Sequence, residues 1–295
     1  MVTVDQSTAA VDTIVAPIDA GADPLARPFA AIVFDWDGTA VGDRRERADA
    51  LVTLANALLG RDIWLVVVTG TNFGNVDRQF CSRLMPSRRR HLLVCTNRGS
   101  EVFGFDDRGR RVRRASRLAT PAEDRALTAV ADGVRDAIQR RTGLEIGVVH
   151  DRLNRRKIDL IPLPEWQDPP KDRIGDLLVA VEDRLRSAGW PGGLGTAIRL
   201  TERFANEHDL SRAPITSDVK HIELGLTDKG DSLTWVRREH LGPLGIADSD
   251  VLIVGDEFGP VGGFVGSDDR LRVEGGDAIV VSVGPEPNGV PPGVL

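Results

Sequence analysis

Cysteine is scarce in this sequence of 295 residues, which contains only Cys81 and Cys95. Two cysteines are too few for a disulfide framework, and because both lie in apolar surroundings we expect reduced core residues. No apolar run is long enough to span a bilayer, and the first thirty residues lack the basic start and compact apolar stretch of a signal peptide. These absences predict a cytoplasmic protein without a membrane-spanning segment.

Basic residues are fewer than acidic ones, 38 against 44, and nearly all of the basic residues are arginines. The formal net charge is −6 at pH 7, which gives no electrostatic reason to expect a nucleic acid or an anionic membrane surface as partner. We therefore expect a small-molecule partner. Arginine accounts for 34 of the 38 basic residues, and the remaining four are Lys157, Lys171, Lys220 and Lys229. Each lysine is therefore a candidate for a specific role.

Apolar segments of strand length alternate with a helical pattern in the first part of the chain. The hydrophobic content of 41% is enough for a sizeable core. A helix is predicted over residues 44–59, and strands are predicted over Ala31–Phe34, Ile63–Val68, His91–Cys95 and Val251–Val254. This alternation predicts an α/β fold, a Rossmann-like parallel sheet covered on both faces. Ligands of such sheets bind where the strands end, which is where Asp35, Asp37, Thr69 and Asp256 lie.

The middle of the chain has a different pattern. Two helices and four strands are predicted there, over Pro121–Arg141, Leu144–His150, Lys157–Pro162, Lys171–Ala188, Ala197–Thr201 and Val219–Leu224. This order indicates an α+β lobe inserted into the sheet domain. We predict a flexible lead-in over 1–28, a sheet domain over 29–115 and 223–295, and a cap domain over 116–222. A last strand, Ala278–Val283, precedes a Gly- and Pro-rich tail expected to be short or disordered.

Four short motifs carry the chemistry. AIVFDWDGT ends a strand with two carboxylates, WLVVVTG ends one with Thr69, TDKGDSL contains Lys229, and VLIVGDE ends a strand with Asp256. DWDGT alone is compatible with an ordinary turn. The four motifs in this order resemble those of the haloacid dehalogenase superfamily. The inserted lobe and the segment VCTNRGSEVFGFDDRG before it resemble the sugar-phosphatase branch, which includes Cof-like proteins, trehalose-phosphate phosphatases and phosphomannomutases.

The resemblance implies roles for the carboxylates. Asp35 corresponds to a nucleophile that accepts the phosphoryl group as an aspartyl phosphate. Asp37 corresponds to the acid that protonates the leaving alkoxide and then activates water, a role that a positioned carboxylate can fill. Mg²⁺ is implied as cofactor, held by the carboxylates of Asp35 and Asp256 and the backbone carbonyl of Asp37, because hard oxygen ligands suit this ion.

A phosphate-binding set is implied next to these carboxylates. The Thr69 hydroxyl and the backbone N–H groups at Gly70 can bind phosphate oxygens, and the helix that comes next would favour an anion. The alternative for Thr69 is a strand-end turn residue. Lys229 is a point charge that offsets both nucleophile and phosphate. Lys220 is the weaker alternative for that position.

The second acidic ligand of the metal is the least regular part of the pattern. The superfamily places an acid four residues after the position of Asp256, where this chain has Pro260. Either Glu257 replaces it, or the glycine-rich FGPVGGFVG is an insertion that delivers Asp268. We prefer Asp268, because SDDRL resembles the residues that come after the usual acid in the superfamily, and glycines let a loop fold back. A solvated acidic loop is the alternative for this segment.

Four basic residues are concentrated in the cap segment HDRLNRRKIDLIP: Arg152, Arg155, Arg156 and Lys157. Such a run is often a solvated face. In this position it is also a candidate for binding the hydroxyls or a second anionic group of a substrate.

The sequence therefore predicts a magnesium-dependent phosphatase that acts on a small phosphate ester, most simply a sugar or polyol phosphate. A hexose phosphomutase is the alternative within the superfamily, and net hydrolysis separates the two. The alternative from another class is a non-catalytic ligand-binding domain. Loss of Asp35, Asp37 or Lys229 would favour that alternative, and all three are present.

Overall fold

The computed structural model describes residues 23–295 except 43–45, 168, 170–172, 274 and 287. Residues 1–22 of the predicted lead-in lie outside the described residues, as do the first residues of the helices predicted from 44 and 171. Both cysteines are buried and neither forms a disulfide.

The described residues form eleven strands and six α-helices. The strands are β1 (Ala31–Asp35), β2 (Trp64–Val68), β3 (Leu92–Thr96), β4 (Glu101–Phe105), β5 (Arg111–Ser116), β6 (Gly147–Arg152), β7 (Arg155–Asp159), β8 (Ile215–Ser217), β9 (His221–Gly225), β10 (Val251–Gly255) and β11 (Ile279–Ser282). The helices are α1 (Asp49–Leu59), α2 (Phe73–Gln79), α3 (Pro121–Thr142), α4 (Ile174–Ser187), α5 (Gly193–Glu207) and α6 (Lys229–Val236). Among the described helices, none combines the length and apolar character that a bilayer crossing needs.

The large sheet has the order β11-β10-β1-β2-β3-β4-β5. Strand β1 is central and pairs in parallel with β10 on one side and β2 on the other. The central strands are apolar on both faces because each face packs against its own hydrophobic cluster. The predicted α/β fold is confirmed. The parallel pairing brings the carboxyl ends of β1, β2 and β10 to one edge.

The cap sheet is antiparallel, with the order β6-β7-β9-β8. On one face, Ile158 and Ile222 pack against α3, α4 and α5 through one buried cluster. Side chains alternate along a strand, so Lys157 and Glu223, which are partners in register, lie on the opposite face. Strand β9 runs to Gly225, past the boundary predicted at residue 222.

The strand predicted over Ala197–Thr201 is wrong, because these residues lie in α5. The buried residues of α5 include Leu194, Ala197, Ile198, Thr201 and Ala205, which recur at helical spacing. The predicted segment was too short to reveal this period.

The described residues of the C-terminal tail pack against the large sheet. The N–H of Leu295 donates to the carbonyl of Val280, and the N–H of Ser282 donates to the carbonyl of Leu295, both at 2.9 Å. Val294 is buried against the same sheet edge. The expectation of disorder is therefore wrong for residues 288–295.

Helix α3 offers a test of what stabilises the cap. Thr120 caps it, because its hydroxyl accepts the N–H of Glu123 while the Glu123 carboxylate accepts the N–H of Thr120. Thr120→Ala should lower the free energy of unfolding by about 1 kcal/mol. The matched control is Thr53→Ala on the exposed face of α1, where alanine has the higher helix propensity. Denaturant unfolding measures both changes, and equal losses would contradict the capping argument.

Candidate active site

Three buried carboxylates meet at the carboxyl edge of the large sheet. Asp35 ends β1, Asp256 follows the neighbouring strand β10, and Asp268 lies further along the same loop. They are 4%, 4% and 0% exposed, and one oxygen of each lies within 4.8 Å of the others. The hydroxyl of Thr39 donates to Oδ1 of Asp256 at 2.9 Å. Convergent carboxylates are the donors that Mg²⁺ prefers, so the residues present fit the implied cofactor.

Asp268 reaches this cluster because the glycine-rich loop folds back. Residues 261–264 form a tight turn whose ends exchange hydrogen bonds of 2.7 and 3.0 Å. Oδ2 of Asp268 then accepts the N–H groups of Asp256 and Glu257 at 2.9 and 3.0 Å. Glycine is needed at 255, because a Cβ atom there would lie 2.6 Å from Oδ2 of Asp268.

Glu257, the alternative to Asp268, lies at the margin of the cluster. Its Oε2 accepts the hydroxyl of Ser267 at 2.8 Å, and its side chain is not among the three converging carboxylates. Pro260, which occupies the position of the usual acid, is exposed. The geometry therefore favours Asp268 over Glu257, while its metal-binding role stays a prediction.

Lys229 lies between two of the three carboxylates. It begins α6, whose N-cap residue Asp228 accepts the N–H groups of residues 230 and 231. Nζ of Lys229 donates to Oδ1 of Asp35 at 2.8 Å, to Oδ1 of Asp268 at 2.5 Å and to Oγ of Ser267 at 3.1 Å. The lysine is 5% exposed, so its charge acts in a region that water screens poorly.

The pKa values in this cluster reflect burial and crowded charge. Burial raises the pKa of Asp35 to about 8, and the neighbouring Asp268 and Asp256 contribute to the rise against the opposing effect of Lys229. Burial alone would raise the pKa of Asp268, but Lys229 and the two backbone N–H groups hold it below the usual value. Lys229 in turn has a raised pKa, because Asp268 and Asp35 outweigh its burial. Without a cation, the site holds more negative charge than Lys229 neutralises.

Asp37 follows β1 in a tight turn and is half-buried. Trp36, between the two aspartates, is buried against Phe80 and donates its indole N–H to Gln79 at 3.2 Å. Continued alternation of side chains beyond the end of β1 would place Asp37 on the same side as Asp35. The acid/base role of Asp37 stays a prediction.

The loop after β2 brings Thr69 and Gly70 to the same edge. Thr69 is fully buried, and its hydroxyl oxygen accepts the N–H of Thr71 at 3.1 Å. The hydroxyl hydrogen of Thr69 thus keeps its capacity to donate to a ligand. Asn72 caps the short helix α2, so the loop leads directly into a helix start.

Three of the four predicted cap residues lie on β7 and divide between its two faces, and the fourth, Arg152, ends β6. Arg155 donates from Nη1 to Oε2 of Glu223 at 3.1 Å and from Nη2 to the carbonyl of Gly70 at 3.0 Å. Lys157 lies 2.5 Å from Oε1 of Glu223. These two residues therefore face the large sheet domain, and Arg155 touches the predicted phosphate-binding loop.

Arg156 and Lys220 lie away from the candidate site. Arg156 contacts α3, where Nη2 donates to Oδ1 of Asp124 at 2.6 Å and Nε to Oγ1 of Thr128 at 3.1 Å. The grouping of Arg156 with the substrate-binding residues is not supported by this orientation. Lys220 pairs with Asp159 at 2.9 Å inside the cap. Arg152 lies at the hairpin end of β6, half-buried.

Two residues of the candidate site are not among those predicted from the sequence. Arg98, in the turn after β3, has its Nε 3.1 Å from Oε2 of Glu223 and donates from Nη1 to Oγ1 of Thr216 at 3.1 Å. Glu223 is 2% exposed and contacts three cations. Two features of the sequence point to these residues. Glu223 is an acid within an apolar strand, and Arg98 lies in the segment before the cap.

Several solved structures are similar to this chain in fold. No protein-family model matches the chain, and no curated protein matches its sequence. Truncated, IMP-bound IMP-nucleotidase of Plasmodium falciparum is similar with a TM-score of 0.56 and 10% identity, over 83% of this chain and 63% of that one. Trehalose-6-phosphate phosphatase of Aspergillus fumigatus is similar with a TM-score of 0.53 and 13% identity, over 88% and 84% of the two chains.

These likenesses confirm the haloacid dehalogenase-like fold predicted for the chain. The chain spans 63% of the length of the nucleotidase structure. Identities of 10% and 13% relate these proteins through the fold, and the chemistry of this chain depends on the residues of its own site.

The crowded carboxylates lead to a prediction about stability. A carboxyl whose pKa rises on folding, as that of Asp35 does, favours the folded state below its unfolded pKa, and this contribution is lost as pH rises towards the folded value of about 8. Asparagine does not titrate. In metal-free buffer, Asp35→Asn should therefore melt at a higher temperature than the wild type, by a margin that grows between about pH 5 and about pH 8. Calorimetry checks this, and a margin that shrinks over the same range would contradict it.

Proposed function

We propose that this protein is a magnesium-dependent phosphatase that transfers the phosphoryl group of a small ester, a sugar or polyol phosphate, to Asp35 and then to water. The observation that carries the proposal is the contact of Lys229 with both Asp35 and Asp268, beside Asp256, at the edge where the strands end. The fold shared with an IMP-nucleotidase and a trehalose-6-phosphate phosphatase supports it.

The first half-reaction depends on charge at Asp35. Its carboxylate attacks phosphorus and forms an aspartyl phosphate while the alkoxide leaves. Asp35, Asp256 and Asp268 would hold Mg²⁺, which when bound neutralises phosphoryl oxygens and favours the ionised nucleophile. Lys229 offsets charge on Asp35 and on the phosphoryl group, in a site too buried for water to do so.

The remaining steps are assigned to neighbouring side chains. The hydroxyl of Thr69 and the N–H of Gly70 orient the phosphoryl oxygens. Asp37 donates its proton to the leaving oxygen and then takes one from the water that cleaves the aspartyl phosphate. The second step regenerates Asp35 and releases phosphate, and this net release distinguishes a phosphatase from a phosphomutase.

Hydrolysis of para-nitrophenyl phosphate with Mg²⁺ present tests the proposal. Asp35→Asn should reduce turnover to background, because the amide cannot attack phosphorus. Asp37→Asn should reduce it by about 10²- to 10⁴-fold, because proton transfer is lost. Asp183→Asn, an exposed change on α4, should leave turnover at the wild-type level. Comparable turnover in Asp35→Asn and wild type would refute the aspartyl-phosphate mechanism.

The dependence on Mg²⁺ concentration tests whether Asp268 or Glu257 is the second acidic ligand of the metal. Asp268→Asn should raise the Mg²⁺ concentration needed for half-maximal rate and for half-maximal thermal stabilisation, because a converging carboxylate is removed. Glu257→Gln should change both quantities much less. The reverse order of the two variants would assign the supporting role to Glu257.

A further inference from the structure

A cationic group of residues lies where the cap meets the phosphate-binding loop. The junction cluster consists of Arg98, Arg155 and Lys157 around the carboxylate of Glu223. Arg98 comes from the sheet domain, and the other members come from β7 and β9 of the cap. Nitrogen atoms of the three cations lie 3.1, 3.1 and 2.5 Å from the oxygens of Glu223.

The two arginines of the cluster border Gly70. Nη2 of Arg155 donates to the carbonyl of Gly70 at 3.0 Å. A Cβ atom built on Gly70 would lie 3.6 Å from Nε of Arg98 and 3.7 Å from Nη1 of Arg155. Both guanidinium groups therefore lie directly beside the loop that is proposed to bind the reacting phosphoryl group.

The charges of the junction cluster do not balance internally. Glu223 is one carboxylate against three cations, and they hold its pKa well below the usual range despite its burial. The next carboxylate, Asp218, lies 3.6 Å from Lys157 and is also paired with His221 at 3.0 Å. Lys157 contacts both carboxylates, whereas Arg98 and Arg155 share Oε2 of Glu223, so the positive surplus lies on the two arginines.

Arg155 also has a hydrogen-bond donor that no described residue accepts. Arg155 is 6% exposed, yet its Nε has no hydrogen-bond partner among the described residues, and the same holds for Nε of the nearby Arg152. Burial lowers the pKa of Arg155, and the charges of Arg98 and Arg152 lower it further against the opposing effect of Glu223. A buried donor without a partner beside like charges is a costly arrangement that an anion relieves.

A monophosphate ester of a neutral alcohol does not use this surplus. In the proposed function, its phosphoryl group is bound by Lys229, Thr69 and the metal site. We propose that Arg98 and Arg155 bind a second oxyanion on the leaving group, so that the substrates are phosphate esters of alcohols that carry their own carboxylate or phosphate. This inference rests on the proposed function and names its substrate class. Glu223 orients the two guanidinium groups.

Matched pairs of esters test the inference. Glycerol 3-phosphate with 3-phosphoglycerate tests a carboxylate, and fructose 6-phosphate with fructose 1,6-bisphosphate tests a phosphate. In the wild type, the anionic member of at least one pair should have a kcat/KM about ten- to a hundredfold higher, as expected for charged hydrogen bonds. The pair that shows the preference identifies the oxyanion.

Variants locate the preference within the cluster. Arg98→Gln and Arg155→Gln should each bring the ratio within a pair towards one, and the ratio is unaffected by a general loss of active protein. Arg156→Gln is the matched control, because it lies next to Arg155 but faces α3, and it should keep the wild-type ratio. Should a glutamine variant fail to fold, Arg98→Lys and Arg155→Lys keep the charge without the planar fork and should give reduced ratios.

Three outcomes would overturn the inference: a wild-type ratio near or below one in both pairs, a ratio that survives both arginine changes, or an equal loss in Arg156→Gln. Hydrolysis of para-nitrophenyl phosphate by the wild type separates this failure from that of the proposed function. Hydrolysis of that ester without preference within the pairs removes only the substrate class. No hydrolysis of any ester removes the phosphatase itself.

Discussion

The structure of this edge of the sheet depends on the need to keep three carboxylates together in a buried space. Lys229 supplies one compensating charge, and backbone N–H groups at the end of β10 supply partial charges to Asp268. The loop that returns Asp268 is itself held by Glu286, whose carboxylate accepts the N–H groups of Phe258 and Gly259 at 2.8 Å each. The C-terminal segment therefore contributes to the geometry of the carboxylate cluster, although it lies outside the motifs.

The same loop connects the carboxylates to the cap. Val261 and Phe264, at the two ends of its turn, pack against the hydrophobic core of the cap. Asn154, in the β6–β7 turn, donates to Ser100 of the sheet domain at 2.9 Å, and Arg155 donates to Gly70. The loop that carries Asp268, the loop after β2 and the cap sheet thus form one connected set of contacts, so the residues proposed to recognise the leaving group are fixed relative to Asp35.

The predictable parts of the molecule are those set by local pattern. Buried parallel strands are continuous apolar runs, so the sequence predicts β1, β2, β3 and β10 within one residue at each end. Ala197–Thr201 was misassigned because five residues cannot separate a strand from part of a helix. Arg98 and Glu223 could not be assigned from sequence, because their meaning depends on two distant segments meeting across the domain junction. The orientations of Arg155 and Arg156 likewise could not be predicted from the sequence, because they depend on the register of β7.

The carboxylate cluster and the junction cluster have opposite charge and are in electrostatic contact. The pKa of Arg98 is raised, because Glu223 and then Glu257, Asp218 and Asp35 outweigh its burial. A cation held by the carboxylates cancels part of the field that Arg98 feels from Asp35, which strengthens the attraction of Arg98 for an anion. By linkage, an anion at Arg98 strengthens the binding of the cation to the same degree. The overall net charge of −6 repels anions, so binding of the proposed anionic ester would depend on this local arrangement.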